Sequence, residues 1–193
     1  MPEPRRLPEP RRRSAPATRA AILDAARARF GADGFDRVTV REIAADVGVD
    51  PAMVIRYFGS KDALFTEAAE FDLELPDLTG VAPEDLADAL VPRFFAVWED
   101  SAGFLSLLRA ATTSKVAADK MLELFTRQVS PALAAAAVDR PAERAALVGT
   151  QILGLALSRY VLRVPPLVAM SHDELRAWIA PVLTRYLTGP AAG

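Results

Sequence analysis

The side chains best equipped to act on a partner lie in one run, TVREIAADVGVDPAMVIRYFGSK, from Thr39 to Lys61. Ala52, Met53, Arg56 and Tyr57 share one side of a helix, because residues four apart stack along its face. A guanidinium, a phenol and a thioether beside a small residue can face bases and phosphates in a DNA groove. Thr39, Arg41 and Lys61 flank them as candidates to clamp the phosphate backbone. Bond-making chemistry is poorly provided for. Cysteine is absent, so thiolate nucleophiles and thiolate metal sites are ruled out. The single histidine, His172, falls in a helix cap, where a solvated first-turn residue is the expectation. Carboxylate pairs such as Glu84-Asp85 and Glu99-Asp100 read as caps and solvated faces. No glycine-rich phosphate loop, metal-ligand spacing or nucleophile motif is present, so no catalytic residue, metal or cofactor is expected.

The elements that must hold this face are written into the same run. Val40, Ile43, Ala44 and Val47 recur at i, i+3, i+4 and i+7, one apolar helical stripe. Thr39 and Glu42 have the spacing of a capping box. Gly48 stands where a left-handed backbone must end that helix. Asp50 is a good N-cap and Pro51 a good first helical residue. The second helix runs to about Phe58, with Val54 and Phe58 facing inward beside Val49. A helix, a glycine turn and a short second helix form the helix-turn-helix arrangement, in which one helix enters the major groove. An ordinary αα corner fits the same pattern.

Charge distribution favours the DNA reading. The 193 residues carry a net charge of -2, but the chain is not uniform. Up to Lys61 it holds 12 basic and 8 acidic residues; from Asp62 onward, 11 and 17. A cationic head on an anionic body suits a DNA reader with a separate second domain. With 51% hydrophobic residues the chain can build a sizeable core. No apolar run is long enough to span a bilayer, and no signal core follows the N-terminal arginines, so a cytoplasmic protein without membrane contact is expected.

In order, Met1 to Ala17 is a proline- and arginine-rich arm expected to be disordered, either reaching DNA phosphates through its arginines or simply solvated. Residues 18–32 form a helix with Ile22, Ala26 and Phe30 inward, ended by Gly34. After Gly59 and the cap Ser60, a fourth helix is expected from Lys61 to about Leu75. A lysine at a helix start suits a shared anion such as a phosphate. Pro76, Gly80 and Pro83 mark a break. Further helices are expected at 84–99, 104–113, 116–138 with a bend at Pro131, 140–164, and from a second capping box, Ser171 with Glu174, to Leu187. Pro165-Pro166 reads as a stop. The eighth helix is apolar on two sides, Leu153, Leu157 and Val161 on one and Ile152, Ala156 and Tyr160 on the other. Burying both implies a partner subunit and a two-fold four-helix bundle built from helices eight and nine; a monomeric core is the alternative.

Residues 18–66 resemble the N-terminal DNA-binding domain of the TetR family of transcriptional repressors. The likeness is carried by Ala26, Phe30, Gly34 and Phe35, then TVREIAADVGV, then YFGSKDALF, and covers about a quarter of the chain. The stretches GLALSRYVLRVPPLVAM and APVLTRYLTG are similar to C-terminal domains of one branch of that family. Two positions depart from the family pattern. Ile55 stands where an aromatic, often a phosphate-contacting tyrosine, is usual, so that contact is missing or taken over by Arg56 or Tyr57. Asp50 replaces a customary serine.

The resemblance implies an all-α protein of about nine helices: an arm (1–17), a helix-turn-helix domain (18–66, helix four continuing to about 75), and an effector-binding and dimerisation domain (76–193). It implies a homodimeric repressor, released from a palindromic DNA operator by a small-molecule effector. Phe94, Trp98, Phe104, Leu108, Met121 and Phe125 are candidates to line the effector cavity, with Arg109, Thr112 and Gln151 to orient the ligand; aromatics in such a pattern are more often plain core. A helical small-molecule binder or enzyme with no sequence-specific DNA role is the alternative function.

Overall fold

A computed structural model describes residues 14–190; the arginine-rich arm up to residue 13 lies outside the described residues. The described residues fold as α-helices with no strand. The head is α1 (Ala15–Asp33), α2 (Val40–Val47), α3 (Pro51–Phe58) and α4 (Lys61–Ala68). The body is α5 (Leu86–Asp100), α6 (Ala102–Ala110), α7 (Lys115–Leu124, running through a π turn Phe125–Val129 into Ser130–Ala134), α8 (Pro141–Ala156, extended by a π turn Leu157–Val161), α9 (Pro165–Ala169) and α10 (His172–Thr188). The helix expected as the ninth is therefore α10, and α9 is an addition. No helix among the described residues is long and apolar enough to cross a membrane.

Local chemistry accounts for most boundaries. Thr39 and Glu42 close both halves of a capping box, and Ser171 with Glu174 does the same for α10. Gly48 ends α2 at φ 74°, ψ 38°, a left-handed conformation that costs a Cβ-bearing residue more. Asp50 accepts from the Ala52 amide at 2.7 Å and starts α3. Three of the differences from expectation fall at prolines. α1 begins at Ala15 because Ser14 caps it and Pro16 sits in the first turn, where its missing N–H costs nothing. Pro165-Pro166 likewise opens α9 as well as ending α8, and the Arg159 guanidinium fastens α9 by donating to the Leu167 and Met170 carbonyls. In α7 the irregularity falls ahead of Pro131. The π turn widens the backbone where the proline ring crowds the preceding turn, and Ser130 donates to the Phe125 carbonyl.

The fourth helix is shorter than the sequence pattern suggests. It stops at Ala68, and residues 69–85 run as an extended and turning linker. Competing hydrogen bonds explain the stop. Gln128, on the π turn of α7, accepts from the Leu73 amide at 2.8 Å and donates to the Phe71 carbonyl at 2.7 Å. Arg93 on α5 donates to the Leu73 carbonyl at 2.6 Å. These side chains supply the partners that a continued helix would have supplied, so the backbone is satisfied in extended form.

One continuous core runs through both halves. In the head, Ile22, Ala26, Ile43, Ala44, Val54 and Leu64 are essentially inaccessible, and Phe30 meets Phe65 edge-on at 5.1 Å. Arg29 grips Asp46 through two bonds of 2.6 and 2.7 Å, tying α1 to α2. Head and body meet where α1 packs on α6 and the Ser106 hydroxyl donates to the Phe30 carbonyl at the end of α1. In the body, α10 packs against α5 and α8. Its C-terminus is capped by the buried guanidinium of Arg144, which reaches Asp139, the Tyr186 carbonyl and the Gly189 carbonyl.

Candidate nucleic-acid interface and effector cavity

The frame that presents α3 is rigid. Val54 and Phe58 are buried against α1 and α2, which fixes the roll of the helix and turns its other side out. Ala52 and Arg56 are exposed, and Met53 and Tyr57 are half-exposed. The Arg56 guanidinium lies 5.5 Å from the Tyr57 ring centre, so the two present a joined cationic and aromatic surface. Arg41 on α2 is also exposed.

Two flanking residues are more engaged than their sequence context suggests. The Thr39 hydroxyl donates to Glu42 at 2.8 Å and accepts from the Glu42 amide, so its proton is spent within the cap. The Thr39 hydroxyl and the Thr39 amide both donate to the Glu42 carboxylate and hold it below the usual glutamate range. Lys61 sits at the first position of α4 with its ammonium 4.3 Å from the Phe35 ring centre, half-exposed. This contact places a cation beside the amide end of α4. Ile55, at the position where the family pattern has an aromatic, is 45% exposed.

The body holds a cavity of about 360 Å³, within the range of small-molecule sites. One wall is the linker itself, through Leu73 and Leu75. Phe94, Val97 and Trp98 of α5 and Phe104 of α6 form a second. Met121, Leu124 and Phe125 of α7 face Val148, Gly149 and Ile152 of α8 across it. Phe125 and Gly149 are in close approach: a Cβ at Gly149 would stand 2.9 Å from the Phe125 ring. Trp98 and Phe104 meet at 4.7 Å, and Phe104 meets the linker's Phe71 at 5.4 Å.

Of the residues expected around an effector, Phe94, Trp98, Phe104, Met121 and Phe125 converge on this cavity; the other four do not line it. Leu108 is buried in the core beside it. Arg109 and Thr112 lie on the solvent side, with the Thr112 hydroxyl donating to the Arg109 carbonyl. α6 turns Phe104, Leu107 and Leu108 inward, which leaves Arg109 outward. Gln151 sits on the outer stripe of α8, with exposed Leu147 and Gly154. Gln128 does not line the cavity but holds its linker wall through the Leu73 amide, a contact 55 residues away in the chain.

A second cluster joins α5, α8 and α10. Glu99 accepts from the Tyr160 hydroxyl at 2.6 Å and lies 2.8 Å from His172 Nε2, while His172 stacks on Phe95 at 4.1 Å. Burial and the neighbouring carboxylate push the Tyr160 phenol above its usual range. The cluster fastens the start of α10 to the body and faces no cavity wall of the effector site.

Comparison with known proteins agrees with this geometry. Residues 22–68 match the family model described as bacterial regulatory proteins, tetR family, and residues 84–187 match the tetracyclin repressor-like C-terminal domain. A 53-residue stretch is 40% identical to an HTH-type transcriptional repressor of Mycobacterium tuberculosis, spanning 28% of each chain. The fold resembles a TetR-family regulator from Streptomyces coelicolor A3 at 28% identity, covering 92% of this chain and 98% of that one, with a TM-score of 0.62. It also resembles the multidrug binding protein EbrR, solved with proflavin, at 21% identity, covering 88% and 99%, with a TM-score of 0.62. With a helix-turn-helix head that matches one family model and a C-terminal family model spanning more than half its length, the chain belongs to the TetR family of bacterial transcriptional regulators.

Proposed function

We propose that the protein is a homodimeric repressor that reads a palindromic operator through α3 and leaves it when a small molecule occupies the body cavity. Membership of this family makes it a DNA-binding transcriptional regulator and not an enzyme. The observation that carries the specific reading is the exposed Ala52–Arg56–Tyr57 side of α3, held outward by buried Val54 and Phe58. Arg56 and Tyr57 meet bases and phosphates; Met53 and Ala52 give the close apolar approach; Arg41 and Lys61 clamp the backbone, with the Thr39 cap fixing the start of α2. Ile55 adds an apolar contact suited to a thymine methyl.

Two heads are needed to read two half-sites one helical turn apart. The outer faces of α8 and α10 supply the dimer contact. Leu147 and Trp178 are 48% and 73% exposed, and a Cβ at Gly154 meets nothing, so a partner helix has room to approach there. The protein acts in the cytoplasm, where its DNA target lies.

Release follows from the linker forming a cavity wall. A ligand that favours a different position of Leu73 and Leu75 strains the clasp made by Gln128 and Arg93, and with it the seating of the head. A coupling of about 1–3 kcal/mol is enough to change operator occupancy 5- to 150-fold. The test is footprinting on the DNA upstream of its own gene, with the mass of the complex measured in parallel. A two-fold site protected by a dimer is expected. Binding no tighter than to random DNA contradicts the proposal.

A further inference from the structure

We infer that the body cavity takes an uncharged, predominantly apolar small molecule and rejects cations and anions of the same size. The inference rests on the effector reading above and specifies its chemistry. Every residue lining the cavity is aliphatic, aromatic, methionine or glycine; none is titratable, and the neutral indole N–H of Trp98 is the one hydrogen-bond donor among these side chains. The nearest polar groups are already committed: Gln128 spends both ends of its amide on the linker backbone, and Arg93 donates to the Leu73 carbonyl and pairs with Glu74 at 3.2 Å. No carboxylate, ammonium, guanidinium or imidazole is among the lining groups, so none waits here for a ligand's charge. A charged group entering this space gives up its hydration and meets hydrocarbon, ring faces and a single neutral indole N–H, which does not repay that loss. Aromatic faces attract a cation, but Trp98 and Phe104 pack edge against face on each other, and the lining offers no carboxylate to neutralise one.

A matched set of dyes separates charge from shape. N-Phenyl-1-naphthylamine is neutral, 1-anilinonaphthalene-8-sulfonate adds one anionic group to the same frame, and proflavin is a planar cation. Fluorescence titration of the dimeric full chain is expected to give a Kd at least about tenfold lower for the neutral dye than for either ion. Ala118→Phe, which fills the cavity from the α7 wall, is expected to abolish binding of the neutral dye. Met121→Glu, at a half-buried wall position, is expected to reverse the order and favour proflavin. Operator binding and circular dichroism of each variant are measured alongside. Retained operator binding shows that the head still folds and works, so loss of dye binding then reports on the cavity alone. Proflavin or the sulfonate binding as tightly as the neutral dye, in a manner that Ala118→Phe removes, overturns the inference; so does failure of the neutral dye to bind. Neither result touches the operator reading, which fails only if the wild-type chain shows no DNA preference.

Discussion

Replacing Gln128 by leucine tests the clasp between the head's linker and the effector cavity. The side chain is nearly isosteric, so the change removes two hydrogen bonds and little packing. Left behind are the Leu73 amide and the Phe71 carbonyl, both in a half-buried setting. An unpaired buried backbone group costs about 1–3 kcal/mol, and partial access of water moves each toward the lower end. The expected loss is therefore about 1–3 kcal/mol in total, which for a chain of this size lowers Tm by about 2–12 °C. Loss of stability alone does not distinguish the clasp from any other contact, so the decisive assay is hydrogen exchange. In the wild type the Leu73 amide should exchange slowly, held by Gln128. In Gln128→Leu it should exchange at a rate close to that of a solvated linker, while the amides inside α2 and α3 keep their protection. Operator affinity should also become less sensitive to cavity occupancy, since the wall and the head are no longer joined through α7. Unchanged Leu73 exchange together with an unchanged Tm would refute the reasoning.

Three further outcomes are expected. Gly48→Ala puts a Cβ on a residue at φ 74° and should cost about 1–2 kcal/mol, read as a lower urea midpoint with an unchanged m-value. Arg144→Met removes a buried guanidinium that serves three acceptors around the C-terminus of α10, and should cost about 2–4 kcal/mol in the same assay. Glu42→Gln isolates the α2 capping box. Because the folded Glu42 carboxyl lies below its ordinary value, its ionised form stabilises the native state above the unfolded pKa of about 4.3, and the benefit is lost as pH falls through the folded value. The stability difference between wild type and Glu42→Gln should thus be present at pH 7 and vanish in acid, and a difference that persists at low pH would contradict the cap's electrostatic role.

What could be read from the sequence was local. The capping boxes at Thr39 and Ser171, the left-handed stop at Gly48 and the Asp50-Pro51 start each lie within a few residues of the boundary they set, and each stands in the structure as its residues dictate. The orientation of α3 was legible too, because Val54 and Phe58 are large and its phase has no rival. The end of α4 was not, since Gln128 and Arg93 decide it from 55 and 20 residues away. Helix phase was hardest to read in the body. α6 and α8 carry apolar residues on more than one side, so nothing in the pattern distinguished a cavity-facing Arg109 or Gln151 from an outward one. The five apolar residues placed correctly around the cavity are those whose bulk forces them inward.

The account stands or falls on the outward side of α3. The most direct test is equilibrium binding of wild type, Arg56→Ala and Lys61→Ala to the DNA upstream of the gene across a series of salt concentrations. Wild type should bind specifically with a steep negative salt slope. Arg56→Ala should lose about 1–3 kcal/mol and relax discrimination at particular base pairs, and Lys61→Ala should weaken all sequences alike with a slope shallower by about one. Wild-type affinity, specificity and slope in both variants would show that DNA is read by some other surface.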